Sequence, residues 1–294
     1  MEVFRPSSLA EALEIRAAHP EAIPIAGGTD LMVELNFGRR RPEGILDVSR
    51  LPELQEIRRQ GARVFLGAGV PFARIMRELP DQVALAQASR TVGSPQIRNR
   101  GTVGGNLGTA SPAGDALPAL AVYDTELVLA SAAGSRHLSW RDFLVGPKRN
   151  ALAPDELIVG VEWKTPRGPG SFSKIGTRNA MVIAIAGLCL QVDEEARGLR
   201  VALESVGPTI LRAAEAEAFG AGVLEEAGAW ANPRATVPAN AVVRFGELAA
   251  AAASPIDDIR GTAAYRRHAC AVLARRALTW ALDDRRAGQV EARR

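Results

Sequence analysis

The chain has 294 residues and a mass of 31.2 kDa, more than one hydrophobic core commonly supports, so two compact units are expected. Its 47% hydrophobic and 23% charged residues are the balance of a globular chain in water, and the longest uncharged apolar stretch, 180–190, is far short of the roughly 20 residues a bilayer span needs. A net charge of +3 is too small to point to a nucleic-acid binder.

Lysines occur only at Lys148, Lys164 and Lys174; every other basic side chain is an arginine, which reads as coding bias rather than a phosphate-binding surface. The basic run Arg39-Arg40-Arg41 lies between Gly38 and Pro42 and reads as a solvated loop. No basic segment leads into an apolar one near Met1, so no secretory leader is expected. Cys189 and Cys270 sit in separate apolar segments, which excludes a disulfide framework and suits a reducing cytoplasm. A protein-held iron–sulfur cluster takes four thiolates, more than this chain has. His19, His137 and His268 show no ligand spacing, so no metal site is expected.

In chain order, Ser8-Leu9-Ala10-Glu11 is a capping box opening a helix with Leu9, Ala12, Leu13 and Ala17 on one face, ended by Pro20. A short strand over 23–26 runs into Gly27-Gly28-Thr29-Asp30, and a second strand covers 45–48. Segments 54–57 and 64–66 suggest a hairpin closed near Gln60-Gly61, and helices are expected over 71–79 and 84–92. The stretch 93–118, rich in Gly, Ser, Thr, Asn and Pro, reads as a long irregular loop, a feature that is usually functional. Strands follow at 126–130 and 157–163, then a linker at Gly168-Pro169-Gly170, then strands at 181–192 and 200–206. Helices are expected over 213–219, 248–252 and 265–282. The order of elements is that of α+β units.

Two glycine segments carry the chemistry. Ile25-Ala26-Gly27-Gly28-Thr29-Asp30-Leu31 places paired glycines between a strand and a helical turn, where backbone N–H groups can form an anion-binding nest. An ordinary turn with Asp30 as a helix cap is the competing reading. Asn99-Arg100-Gly101-Thr102-Val103-Gly104-Gly105-Asn106-Leu107, followed by Ser111-Pro112-Ala113-Gly114-Asp115, repeats the pattern with small hydroxyl and amide side chains. Two such segments suit a diphosphate held between them, with Asp115 placed to accept from a ribose or other hydroxyl. Gly67-Ala68-Gly69 resembles the start of a Rossmann turn but lacks the third glycine and reads as a tightened strand-to-helix turn.

Taken together, these segments resemble the FAD-binding medium subunit of the molybdenum hydroxylases, the xanthine dehydrogenase and carbon monoxide dehydrogenase family. Ser173-Lys174-Ile175-Gly176-Thr177-Arg178 and Asp258-Ile259-Arg260-Gly261-Thr262-Ala263-Ala264-Tyr265-Arg266 extend the likeness through the C-terminal part. The resemblance implies an α+β chain: a two-subdomain FAD-binding domain of the vanillyl-alcohol-oxidase (PCMH) type over 1–168, with subdomains about 1–57 and 58–168. A smaller α+β C-terminal domain over 169–285 and a tail over 286–294 would follow.

By the same resemblance, Ile25, Ala26, Gly27, Gly28, Thr29, Asp30 and Leu31 wrap the FAD pyrophosphate from one side and Thr102, Val103, Gly104, Gly105 and Asn106 from the other. Asp115 meets the ribityl or ribose region, and Ile158 and Lys174 lie near the flavin. Gly105 is expected where a phosphate must approach, with strain for any side chain if its φ is positive. No histidine neighbours either glycine segment in sequence, so the flavin should be non-covalent. Val182 stands where many relatives carry an acidic residue, and Glu204-Ser205-Val206-Gly207-Pro208-Thr209 is a loose version of the family's Gly-rich turn.

The implied role is electron relay, with no acid, base or nucleophile of its own. Electrons would come from a small subunit with two [2Fe–2S] clusters, served by a large molybdopterin subunit in a dimer of heterotrimers, and leave to NAD+ or another acceptor. Two other classes stay open: a self-sufficient FAD-dependent oxidase or reductase with its own small substrate, and a module that kept the fold and lost the flavin.

Overall fold

The computed structural model of the chain describes residues 1–288; positions 289–294 of the expected tail lie outside the described residues. Two compact units form from interleaved stretches. The first takes Met1–Ile75, Ser94–Ser111 and Asp124–Lys164, and the second takes Met76–Gly93, Pro112–Tyr123 and the chain from Thr165 onward.

Strand β1 (Glu2–Phe4) precedes α1 (Leu9–Ala18), whose first turn is capped by Ser8: its Oγ accepts from the Glu11 N–H at 3.2 Å. The Glu11 carboxylate reaches back to the Ser7 N–H, one position earlier than the box pattern predicts. Then come β2 (Ile23–Ile25), α2 (Leu31–Asn36), β3 (Gly44–Asp47), a 3₁₀ turn (Pro52–Gln55), and the hairpin of β4 (Ile57–Gln60) and β5 (Arg63–Gly67). Helices α3 (Phe72–Glu78) and α4 (Val83–Thr91) fall where expected.

Stretch 93–118 is not the structureless loop that its composition suggested. It folds into α5 (Pro95–Arg98), α6 (Val103–Thr109) and α7 (Ala116–Val122). Ser94 and Thr102 cap the first two through their hydroxyls, and Pro95 sits in the first turn, where a missing N–H costs nothing. Strands β6 (Glu126–Ser131) and β7 (Gly134–Ser139), α8 (Trp140–Phe143), the short β8 (Leu144–Gly146) and β9 (Arg149–Asn150), and β10 (Leu157–Lys164) follow. The C-terminal part contains β11 (Gly170–Ile175), β12 (Ala186–Asp193), β13 (Gly198–Glu204), β14 (Leu211–Arg212), α9 (Ala214–Glu226), α10 (Ala239–Ala251) and α11 (Ala263–Ala287).

In the first unit, β1-β3-β2 is a parallel sheet and β4-β5-β10-β6-β7 an antiparallel one. Ala12, Leu46, Val48, Leu51, Leu54 and Leu157 bring α1, β3 and the start of β10 into one apolar cluster. In the second unit, β11-β12-β13-β14 is antiparallel and its central strand β12 is buried along all eight residues. That follows from its two faces. Ala186, Leu188, Leu190 and Val192 share one apolar core with the helices α9, α10 and α11, whereas the alternate residues face α4 and α7. Strand β12 starts at Ala186 rather than at 181, because Met181 has φ +52° and the Arg178 guanidinium bonds the Ala180 and Met181 carbonyls. Among the described residues, no helix is long and apolar enough to cross a membrane.

Candidate functional site

The two glycine segments meet in the first unit. Strand β2 ends at Ile25, and the turn from half-buried Ala26 to Asp30 leads into α2, which begins at Leu31. A Cβ on Gly27 would lie 2.5 Å from the Arg100 carbonyl carbon and 2.9 Å from the Gly101 nitrogen, so the two backbones touch there. Gly28 has φ +72°, a conformation glycine adopts without penalty. The Thr29 hydroxyl lies against Gly101, and the Thr109 hydroxyl donates to Asp30 Oδ2 at 3.3 Å. Asp30 makes no side-chain cap bond to α2. The N–H groups of Gly27, Gly28, Thr29 and Asp30 have no acceptor among the described residues. Beside the turn, Lys148 Nζ donates to Glu34 Oε1 at 2.9 Å, and Glu34 and Asp30 raise the ammonium's proton affinity.

The second glycine segment is the first turn of α6. Thr102 is its N-cap, accepting the Gly105 N–H at 3.0 Å through its hydroxyl. Gly104 donates to the Ala68 carbonyl at 2.9 Å, and a Cβ on it would sit 2.6 Å from that oxygen. The Gly67-Ala68-Gly69 turn therefore serves as the seat of α6. Gly105 is helical, so the positive φ considered for it is not found. A Cβ there would meet only the Thr102 Oγ1, at 3.3 Å, and otherwise open space. Val103 is fully buried. Asn106 Oδ1 is buried with no hydrogen-bond partner among the described residues. Ile158, at the bulge of β10, ends 4.0 Å from the position of a Gly108 Cβ and so lines the side of α6.

Asp115 and Lys174 fall in the second unit, as a separate polar cluster. Asp115 opens α7, and Lys174 lies on β11. Lys174 is no surface lysine: its side chain is 9% exposed, and Nζ donates to Asp115 Oδ2 at 2.6 Å, the Thr91 carbonyl at 3.0 Å and the Val182 carbonyl at 3.1 Å. The Thr91 hydroxyl donates to the same Asp115 oxygen at 2.7 Å. Burial pushes the Asp115 carboxyl up, while the Lys174 ammonium and the Thr91 hydroxyl act against it. The ammonium thus has three acceptors, one of them charged.

Three residues of this cluster escaped sequence reasoning. Val182 contributes through its main-chain carbonyl, which no side-chain pattern reveals, and Thr91 through its carbonyl and a single hydroxyl at the end of a helix. Glu204 carried a signal: an acid inside the apolar run of Val201 to Val206. On the five-stranded sheet of the first unit, Glu126, His137 and Glu162 also come together from three strands, with His137 Nδ1 3.2 Å from Glu162 and 3.9 Å from Glu126. Their donor set could accept a cation. It is equally a pair of exposed cross-strand ion pairs.

The model of the FAD binding domain in molybdopterin dehydrogenase matches residues 1–163, and that of the CO dehydrogenase flavoprotein C-terminal domain matches residues 171–281. The nicotinate dehydrogenase FAD-subunit of Eubacterium barkeri is 37% identical over 205 residues, 66% of this chain and 69% of that one. The carbon monoxide dehydrogenase medium chain of Hydrogenophaga pseudoflava is 28% identical over 95% of this chain and 97% of that one. A solved carbon monoxide dehydrogenase structure from the same organism superposes with a TM-score of 0.82 at 27% identity, covering 97% of this chain and 98% of that one.

Proposed function

The chain belongs to the family of FAD-binding medium subunits of the molybdenum hydroxylases, as its motifs led one to expect, and on that premise we propose that it binds FAD non-covalently and relays electrons from the [2Fe–2S] clusters of a partner subunit to NAD+ or another acceptor. The residues present fit the cofactor. The observation that carries the reading is the run of four backbone N–H groups without an acceptor among the described residues, Gly27 to Asp30, directly after a strand and against the base of α6. Successive unpaired N–H groups are a nest for phosphate oxygens. Gly105 offers an open surface without a side chain, Thr102 keeps its hydroxyl proton to donate, and Asn106 Oδ1, an acceptor without a partner among the described residues, suits a hydroxyl of the cofactor.

We assign the pyrophosphate to Ile25 through Leu31 and to Thr102 through Asn106. In the second unit, Asp115 and Lys174 are assigned to the hydroxylated chain, and Ile158 on β10 to an apolar part of the cofactor. When bound, FAD supplies the interconversion of one-electron and two-electron transfer. The chain's own residues bind and orient it. A small [2Fe–2S] subunit and a large molybdopterin subunit are the partners this membership implies, in a dimer of heterotrimers in the cytoplasm.

An absorption spectrum of the purified chain before and after acid precipitation tests the cofactor. Flavin bands that leave the protein as free FAD support the reading; a colourless chain that ignores added FAD overturns it. Stopped-flow reoxidation of the reduced chain by NAD+ then tests the acceptor.

A further inference from the structure

Glu204 closes a row across the four-stranded sheet. Lys174 on β11 pairs with Gly187 on β12, and Gly187 pairs with Glu204 on β13. Because Gly187 has no side chain, Glu204 lies over it: a Cβ there would be 2.5 Å from Glu204 Cγ and 2.7 Å from Cδ. The glutamate is thereby laid along the row that ends at the ammonium. It is 0% exposed, and neither of its oxygens has a hydrogen-bond partner among the described residues. The cluster thus holds two carboxyl groups and one ammonium, and of these two carboxyls it is Asp115 that accepts from the ammonium, beside the Thr91 and Val182 carbonyls.

We propose that Glu204 is a positioning residue of the Asp115–Lys174 site, a neutral carboxylic acid that leaves Asp115 as the sole carboxylate partner of Lys174 and takes over as counter-ion, releasing its proton to solvent, when the Asp115 carboxylate is replaced by a neutral side chain. The physical reason is an asymmetry between the two acids. Asp115 has the ammonium at 2.6 Å and the Thr91 hydroxyl at 2.7 Å to stabilise its charge. Glu204 has no hydrogen bond, and burial followed by the field of Asp115 pushes its carboxyl well above the usual range, with Lys174 only partly opposing. One shared positive charge therefore selects one carboxylate. The groups around Glu204 are Lys174 from β11, the buried Cys189 from β12, Arg212 from β14, and Asp115 and Thr91 from the helix layer; Arg266 of α11 reaches the neighbouring Ser205 carbonyl. Arg212 is committed to Glu217 and the Ala121 carbonyl.

A consequence follows where this inference rests on Asp115 and Lys174 as cofactor residues. Ionised Glu204 competes for the ammonium and draws it from Asp115, Thr91 and Val182. FAD affinity then falls in alkali by about tenfold per pH unit once Glu204 titrates, and the E204Q chain lacks that limb.

The primary test needs no flavin. Infrared spectroscopy of the full-length apo chain at neutral pH is expected to show the carbonyl stretch of a protonated acid, absent from E204Q and from D115N. No such band in the wild type overturns the proposal, as does a band that survives in E204Q or in D115N. If either variant fails to fold, disappearance of the wild-type band on alkaline titration still decides: a band that never forms or never titrates below global unfolding refutes the assignment. A chain that shows the band but takes up no FAD would instead refute the flavin reading and leave the Glu204 proton in place.

Discussion

The carbonyl carbon of Arg100 lies 2.5 Å from the point a Gly27 Cβ would occupy, so the two glycine segments meet backbone to backbone. Carbonyl groups cannot rotate aside as a flexible side chain can, and even one methyl must push the segments apart. Gly27→Ala is expected to destabilise the chain by about 1–3 kcal/mol, the range for overpacking a tight contact. It should also lower FAD content, because the N–H groups of Gly27 to Asp30 move with the turn. Denaturant unfolding and the flavin-to-protein absorbance ratio measure the two effects, which are expected together.

Gly105 separates them. Its Cβ position meets only the Thr102 hydroxyl, at 3.3 Å, and the residue already has helical backbone. Gly105→Ala is expected to leave apo stability unchanged or raised by up to about 1 kcal/mol, the helix-propensity difference. Gly105→Val should fold as well but place a branched side chain on the surface assigned to the phosphates, with loss of FAD. Unchanged FAD content in the folded valine variant would remove the start of α6 from the site.

How far these features were legible in the sequence depends on whether the signal was local. Ser8 with Glu11 predicted the start of α1, and the glycine pairs marked both segments, because caps and close backbone approach demand particular residues. The helical start of α6 was hidden, since Val103-Gly104-Gly105 has poor helix propensity and the turn is held by Ala68, far away in sequence. Strand β7, Gly-Ser-Arg-His-Leu-Ser, was missed because an exposed edge strand has no apolar alternation to read. The motif from Asp258 to Arg266 was legible as a pattern only. Its reason is tertiary: buried Arg266 donates to the Ile185 carbonyl at 2.6 Å, the Ser205 carbonyl at 2.7 Å and Asp258 at 2.6 Å, tying α11 to the sheet.

Lys174 and Asp115 bear on stability as well as on the proposed cofactor site. Lys174→Met keeps the aliphatic stem but strips the charge from a site where both partners are buried. Breaking a buried ion pair on one side costs about 3–5 kcal/mol, because the remaining charge is left uncompensated. The double variant K174M/D115N is expected to recover much of that loss. A double-mutant cycle in urea measures it, and purely additive losses would show that the pair is not coupled.

Glu204 sets the sign of a pH dependence. Its carboxyl titrates near 4.5 when exposed and well above that in the folded chain. Between those two values the folded state keeps a proton that the unfolded state has released, so rising pH favours unfolding. The contribution is fully present below the unfolded value and is lost as pH climbs toward the folded one, with a slope of up to about 1.4 kcal/mol per pH unit. Glutamine cannot titrate and removes that slope while preserving shape. Chemical unfolding of wild type and E204Q across neutral to alkaline pH is expected to give diverging curves, wild type falling faster. Parallel curves would mean that Glu204 holds no proton in the folded chain, and the charge balance argued for Lys174 would fail with it.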